Sequence, residues 1–221
     1  MKQETILFDL WGVALDQEKA GKVMVDAYRL QAHSNNIPQE TIEESIRDYE
    51  LVLKNDKSVE DRKTEIVNSL QDLAEQYIET ADDPKIRQDL EDSLYQDFIN
   101  VTEQAQEEGY NIAIYTTRAA EWIRDYIDDL GTIYDAKDGK TKDRIEEIIA
   151  QEEAEGKTIV SFTEDASKAL LAAKESGQIT NLIYINRGDN GLSPEECEEL
   201  GITYTEDLDE VYEELTGEQD D

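Results

Sequence analysis

The 221-residue sequence is poor in several residue types, and each scarcity excludes a class of protein. It has a single cysteine, Cys197, which excludes a disulfide framework and a cysteine-based zinc site. It also has a single histidine, His33, which excludes histidine-rich metal clusters and argues against a Ser-His-Asp triad. No apolar run approaches the ~20 residues of a membrane span, and Asp9 interrupts the short run near the N-terminus. We therefore expect neither a membrane helix nor a signal peptide.

Basic residues are scarce as well. The chain has 21 Lys and Arg residues against 55 Asp and Glu residues, a formal net charge of −34. This excess excludes non-specific binding to nucleic acids and anionic membranes, which requires clustered Lys and Arg. The acidic residues recur on the polar faces of nearly every predicted helix instead of forming one tail. We interpret the pattern as adaptation to a salt-rich cytoplasm, with an ordinary acidic cytoplasmic protein as the alternative.

Apolar periodicity divides the chain into two parts. Residues 17–108 carry apolar side chains at 3–4 spacing, which predicts about four helices and no strand, the last helix running from Pro84 to Gly109. Elsewhere helical segments alternate with short apolar runs at 5–9, 110–116, 158–163, 181–186 and 202–204. This alternation predicts a three-layer α/β sandwich with a parallel, Rossmann-like sheet. We therefore expect a core domain of residues 1–16 and 109–221 with an inserted helical domain over 17–108.

Polar side chains end or directly follow three of the predicted strands, and a lysine opens the helix predicted after Gly139. These candidates are Asp9, Thr116, Lys140 and Asp165. In a parallel sheet, ligands bind at the carboxyl ends of the strands, so we expect these side chains to converge. Two carboxylates, a hydroxyl and an ammonium suit phosphoryl transfer. One Asp attacks or binds metal, the other Asp completes the metal site, and the Lys and Thr side chains hold the anionic oxygens. Lys142 is an alternative to Lys140, and Asp165 also fits the N-cap of the next helix.

The order of these motifs resembles the haloacid dehalogenase superfamily of hydrolases. The resemblance covers nearly the whole chain and rests on residues 6–13, 112–117, 139–141 and 162–165. The helical insert is similar to the C1-type cap of that superfamily. Residues 115–121, with 139–141 downstream, are most similar to the enolase-phosphatase branch.

The resemblance implies a set of roles. Asp9 would be the nucleophile, and a Mg²⁺ ion would be held by Asp9, Asp165 and the backbone carbonyl of Trp11. Thr116 and Lys140 would contact the phosphate of a small phosphorylated metabolite. No nucleic-acid or membrane partner is implied.

The sequence departs from the superfamily pattern at several positions. Trp11 stands where phosphatases of this superfamily usually carry the Asp that acts as general acid and base. An indole transfers no proton at neutral pH, so we expect weak phosphatase turnover. Glu164 replaces the glycine before Asp165 and is either an extra metal ligand or a water-facing side chain. Val13 and Ala169 replace a usual Thr and a second acid.

Three residues are candidate substrate contacts: Trp11, Thr117 and Arg118. Trp11 is either an aromatic floor for the substrate or a packing residue. Three functions follow from these residues: a Mg²⁺-dependent phosphatase, a degenerate relative that binds a ligand or protein without turnover, and a carbon–halogen hydrolase. Trp11 favours the second and third, whereas Asp165 favours the first two.

Overall fold

One parallel sheet organises the larger part of the chain. The computed structural model describes residues 3–54, 56–117, 121–127, 130–136, 139–188 and 191–217. Within these residues the sheet has six strands: β1 (Gln3–Phe8), β2 (Asn111–Thr116), β3 (Ile133–Asp135), β4 (Lys157–Glu164), β5 (Asn181–Ile185) and β6 (Thr203–Thr205). Their order is β3-β2-β1-β4-β5-β6, and every pair is parallel. The predicted Rossmann-like sheet is confirmed.

The helices fall into two compact units. The α-helices are α1 (Gln17–Ser34), α2 (Gln39–Leu53), α3 (Lys63–Thr80), α4 (Pro84–Glu91), α5 (Gln96–Glu108), α6 (Lys142–Ala154), α7 (Ser167–Ser176), α8 (Pro194–Leu200) and α9 (Tyr212–Thr216). Short 3-10 helices cover Lys57–Arg62, Glu121–Asp125 and Leu208–Val211. One unit, Asp16–Ser93, contains α1–α4; the other, Met1–Leu15 with Leu94–Asp221, contains the sheet and α5–α9. No helix in the described ranges has both the length and the apolar character needed to cross a bilayer.

Helices cover both faces of the sheet. Successive strand residues point to opposite faces, so neighbouring residues of β1 meet different helices. Leu7 belongs to a buried cluster with Phe162 of β4 and Leu170 of α7. Phe8 instead meets Phe98 of α5, with ring centroids 5.2 Å apart. The result is the predicted three-layer sandwich.

The first strand lies at the point where the strand order reverses. From β1 the sheet continues through β2 and β3 on one side and through β4, β5 and β6 on the other. Phe8 is in register with both Ile114 and Thr163. The residues that follow β1 therefore lie beside the last residues of β2 and β4, where ligands bind in open α/β sheets.

The prediction of one helix from Pro84 to Gly109 is wrong. The structure has two helices there, α4 and α5, and residues 92–95 between them are not helical. Leu94 forms an isolated antiparallel bridge with Leu15, and the Tyr95 amide donates to the Ala14 carbonyl at 3.0 Å. These bonds compete with the continuation of α4 and end it.

The break also changes where the helical insert ends. The sequence predicts the boundary after residue 108, whereas the compact helical unit ends at Ser93. Helix α5 belongs instead to the unit of the sheet, where its Phe98 packs against Phe8. The helix predicted after β2 is a 3-10 helix at Glu121–Asp125, with residues 118–120 and 128–129 outside the described ranges.

Candidate functional site

Two carboxylates meet at the ends of neighbouring strands. The Asp9 amide donates to the Thr163 carbonyl at 2.9 Å, which extends the β1–β4 pairing by one residue. Glu164 is the last residue of β4, so its backbone lies beside that of Asp9. Both residues are buried, with relative exposures of 5% for Asp9 and 0% for Glu164. Two buried carboxylates this close need a compensating positive charge.

Lys140 supplies that charge. Its Nζ lies 2.5 Å from Oδ1 of Asp9 and 2.6 Å from Oε2 of Glu164, and only 8% of its side chain is exposed. The preceding residue, Gly139, has a φ of 94°, a left-handed conformation that favours glycine in the loop before α6. Lys142, the alternative, is a more exposed residue of α6 that pairs with Glu146 at 3.6 Å. The structure therefore brings Lys140, and not Lys142, to the carboxylates.

Asp165 completes a cluster of three carboxylates. Asp9, Glu164 and Asp165 each offer an oxygen, and these oxygens lie within 4.8 Å of one another. The alternative interpretation of Asp165 as an N-cap is wrong, because the N-cap of α7 is Ala166. The Ala166 amide donates instead to Oε1 of Glu164 at 3.1 Å. We call Asp9, Glu164, Asp165 and Lys140 the acidic cluster.

Burial raises the pKa values of the two buried carboxyls of the acidic cluster. Burial and the charge of Glu164 raise the pKa of Asp9 to about 8, against the opposing effect of Lys140. Burial also raises the pKa of Glu164; Lys140 opposes this shift and Asp165 adds to it. Burial alone would lower the pKa of Lys140, but the charges of Asp9 and Glu164 outweigh it and raise that pKa. The cluster therefore has a deficit of positive charge.

The donor chemistry of the acidic cluster fits a hard divalent cation. With all groups ionised, three carboxylates and one ammonium leave two negative charges in a largely water-excluded place. Carboxylate oxygens are the ligands that Mg²⁺ prefers, and its two positive charges balance this deficit. The predicted residues Asp9, Glu164 and Asp165 are thus a candidate metal site.

The remaining predicted residues lie at the same edge of the sheet in different surroundings. Thr116 is the buried last residue of β2, and Thr117 after it is exposed. Trp11 is partly exposed in the turn two residues after Asp9. Arg118 lies outside the described residues.

Tyr115 is a site neighbour that the sequence does not reveal. The Lys140 Nζ lies 5.5 Å from the centroid of its ring, within the range of a cation–π contact. Burial raises the pKa of its hydroxyl to about 12. In the sequence Tyr115 is one apolar residue of a strand and carries no signal that distinguishes it from the core. Strand alternation puts it and Thr116 on opposite faces of the sheet.

Comparison with solved structures shows the fold of haloacid dehalogenase-like hydrolases. A Bacillus subtilis protein described as a HAD-hydrolase and solved bound to magnesium has a TM-score of 0.59 and 18% identity, covering 97% of this chain and 99% of that one. A protein from Clostridium difficile described as a phosphatase has a TM-score of 0.57 and 18% identity, with the same coverage. One from Thermotoga maritima described as a β-phosphoglucomutase has a TM-score of 0.57 and 16% identity, covering 98% and 100%. No family profile and no curated protein sequence matches the chain.

Proposed function

We propose that this chain is a haloacid dehalogenase-superfamily hydrolase that cleaves a small phosphorylated metabolite, with Asp9 as the nucleophile and Mg²⁺ as cofactor. The observation that carries the proposal is the acidic cluster, built on Asp9 at the reversal point of the sheet. A buried carboxylate with a raised pKa, one ammonium and two further carboxylates is typical of a chemical site. The C1-type cap and the enolase-phosphatase branch belong to the same proposal.

Asp9 is held in one orientation for attack. The Leu10 amide donates to its Oδ1 at 2.7 Å, and the Lys140 ammonium contacts the same oxygen. Asp9 attacks phosphorus, the bond to the leaving oxygen breaks, and water then hydrolyses the aspartyl phosphate. An ammonium has three N–H donors, and two of those on Lys140 meet Asp9 and Glu164. The third, with the Thr116 hydroxyl, holds the phosphoryl oxygens in this proposal.

The same cluster would hold the metal. Asp9, Glu164 and Asp165 offer carboxylate oxygens, and Trp11 offers its backbone carbonyl. The backbone hydrogen bonds that close the turn after Asp9 are accepted by the carbonyls of Leu10 and Leu15, not by that of Trp11. When bound, Mg²⁺ supplies positive charge that polarises the phosphoryl oxygens. The magnesium in the B. subtilis structure supports this choice of ion.

Thermal unfolding with and without Mg²⁺ tests the metal site. We expect millimolar MgCl₂ to raise the melting temperature of the wild type at matched ionic strength, because an ion bound only to the folded state stabilises it. Asp165→Asn should remove most of this increase. Asp61→Asn, which removes the same charge from an exposed position, should keep it. An equal increase in Asp165→Asn would mean that Mg²⁺ only screens charge, and the assignment would fall.

Trp11→Asp tests why turnover should be weak. We expect this variant to hydrolyse an alkyl phosphate roughly 10²-fold faster than the wild type, because a poor leaving group needs a proton. The gain on p-nitrophenyl phosphate should be smaller, since nitrophenolate leaves without one. Trp11→Phe, which restores no acid, is the control. The measurement is the steady-state hydrolysis rate on both esters. A lower rate on both would show that Trp11 is a substrate contact or a packing residue.

A substrate panel separates the three candidate functions. Phosphate esters and haloacids are assayed with and without Mg²⁺. Mg²⁺-dependent phosphate release supports the phosphatase, and Mg²⁺-independent halide release supports the dehalogenase. Phosphate-ester binding without either product supports the degenerate relative. The cytoplasmic location, the substrate contacts of Thr117 and Arg118, and the adaptation to salt stay predictions.

A further inference from the structure

A buried ion pair joins segments that are far apart in sequence. Arg187 follows β5, and its Nη2 lies 2.9 Å from Oδ1 and 2.8 Å from Oδ2 of Asp97, near the start of α5. Both side chains are largely buried, at 14% and 9% exposure. The guanidinium also stacks on the ring of Tyr95, 4.0 Å from its centroid. Nothing in the local sequence indicates this pairing, since the partners are 90 positions apart.

The ion pair reaches the loop that follows Asp9. The same Arg187 nitrogen donates to the Val13 carbonyl at 3.4 Å, and Nη1 donates to the Glu206 carbonyl at 3.2 Å. Val13 belongs to the loop of residues 10–15, which begins with the amide that holds the Asp9 carboxylate. Arg187 is therefore bonded to the loop on which the orientation of Asp9 depends.

Asp97, the ion-pair partner of Arg187, fixes the helix that packs against the strand before Asp9. It accepts the amides of Phe98 at 2.9 Å and Leu208 at 2.8 Å, which fixes the start of α5. Phe98 in turn packs edge-on against Phe8, the residue before Asp9. The ion pair is thus connected to the chain before Asp9, through Phe98 and Phe8, and to the chain after it, through the Val13 carbonyl.

We propose that the Arg187–Asp97 pair positions the loop of residues 10–15, and that Arg187 is a positioning residue for the attack by Asp9. The second part rests on the function proposed above; the first does not. A buried ion pair is often no more stabilising than apolar residues of the same volume, so stability alone is a weak reason for this pair. A planar guanidinium can serve a carboxylate, two carbonyls and an aromatic face together, which an apolar side chain cannot.

The test compares a single with a charge-balanced double variant. Arg187→Met alone leaves Asp97 buried and unpaired, so its melting temperature should fall. Arg187→Met/Asp97→Asn leaves no unpaired charge and keeps one of the two oxygens at position 97 that accept backbone amides, so its melting temperature should recover much of that loss. We expect the amides of Gly12, Ala14 and Leu15 to exchange hydrogen roughly 10-fold faster in the double variant than in the wild type. We also expect kcat to fall about 10-fold or more with little change in KM.

A purely structural role predicts the opposite pattern: kcat and loop exchange would recover together with the melting temperature, and the inference would be overturned. Faster exchange with unchanged kcat also overturns the positioning role. If the wild type hydrolyses no substrate, the proposed function fails, and hydrogen exchange alone decides whether the pair orders the loop.

Two further variants serve as controls: one removes an ion pair elsewhere, and the other keeps the charge at position 187. Arg62→Met/Asp48→Asn makes the same chemical changes at an ion pair in the helical unit and should leave loop exchange unchanged. Arg187→Lys keeps the charge, but one ammonium cannot replace the several contacts of the guanidinium. Should the double variant not fold, Arg187→Lys must show the faster exchange and lower kcat; wild-type values in it would contradict the inference.

Discussion

Asp9→Asn is expected to reduce phosphate-ester hydrolysis by at least ~10³-fold while the protein stays folded, because an amide cannot replace the carboxylate nucleophile. The substitution is nearly isosteric, and Lys140 keeps its second partner, Glu164. The measurement is kcat on the best substrate of the panel, with circular dichroism as the check on folding. Asp61→Asn is the matched control for the loss of one negative charge. A folded Asp9→Asn protein with more than about a tenth of wild-type kcat would contradict the nucleophile assignment.

The same variant should gain stability at alkaline pH without Mg²⁺. The pKa of Asp9 is raised from an ordinary 3.8 to about 8 by burial and Glu164, so the folded protein binds its proton more tightly than the unfolded chain does. This contribution to the free energy of unfolding is complete below about pH 4 and is lost as the pH rises through about 8. Asn cannot ionise and escapes the loss. Urea unfolding of both proteins at pH 6 and pH 9 should show the difference widening with pH; a constant difference would contradict it.

Lys140→Met should destabilise the Mg²⁺-free protein by about 3–5 kcal/mol at pH 8, the usual cost of leaving buried charge uncompensated. Asp9 and Glu164 lose the ammonium that lies within 2.6 Å of both. We expect the loss to be smaller at pH 5, because Asp9, whose pKa is raised to about 8, then carries a proton and one negative charge fewer is left uncompensated. Mg²⁺ should restore part of the lost stability, since its charge replaces that of the lysine. Urea unfolding at the two pH values, with and without Mg²⁺, measures each effect.

Two variants control the Lys140 experiment. Lys142→Met removes the same charge from a more exposed position and should change stability by no more than about 0.5 kcal/mol. Lys140→Met/Glu164→Gln removes one of the two carboxylates and should be more stable than Lys140→Met alone. Equal losses for Lys140→Met and Lys142→Met would show that the buried ion pairs contribute nothing.

The four central strands, β2, β1, β4 and β5, could be predicted because most of their residues are buried on both faces, whereas the three-residue edge strand β3 is not among the predicted runs. Such strands are continuous apolar runs, and their alternation with helical periodicity leaves few architectures. The positions of Asp9, Lys140 and Asp165 follow from the same logic, since parallel strands end at one edge. Glu164 shows the limit: its sequence position allowed a metal ligand or a water-facing side chain, and only the folded structure shows that it is fully buried.

Long-range contacts account for what could not be predicted. The apolar spacing through Leu90, Leu94 and Phe98 fits one helix, yet Leu94 leaves that helix to pair with Leu15. The bond between Arg187 and Asp97 likewise depends on the fold that brings β5 to α5. Helical periodicity reports only neighbours within one turn or two, so it contains no trace of either contact.

The bridge between Leu15 and Leu94 has a consequence for how the gene could be rearranged. The chain leaves the sheet unit and returns to it at two residues that are already paired, and the Asp16 amide bonds the Ser93 carbonyl at 2.8 Å just beyond them. Because the two ends of the helical unit, Asp16 and Ser93, lie next to each other, a turn of a few residues could replace the whole unit without stretching β1 or α5. Inserted segments of other lengths would be tolerated between Leu15 and Leu94, since closing a longer loop costs only slightly more entropy. Recombination could therefore exchange this segment as a cassette while the residues around Asp9 stay unaltered.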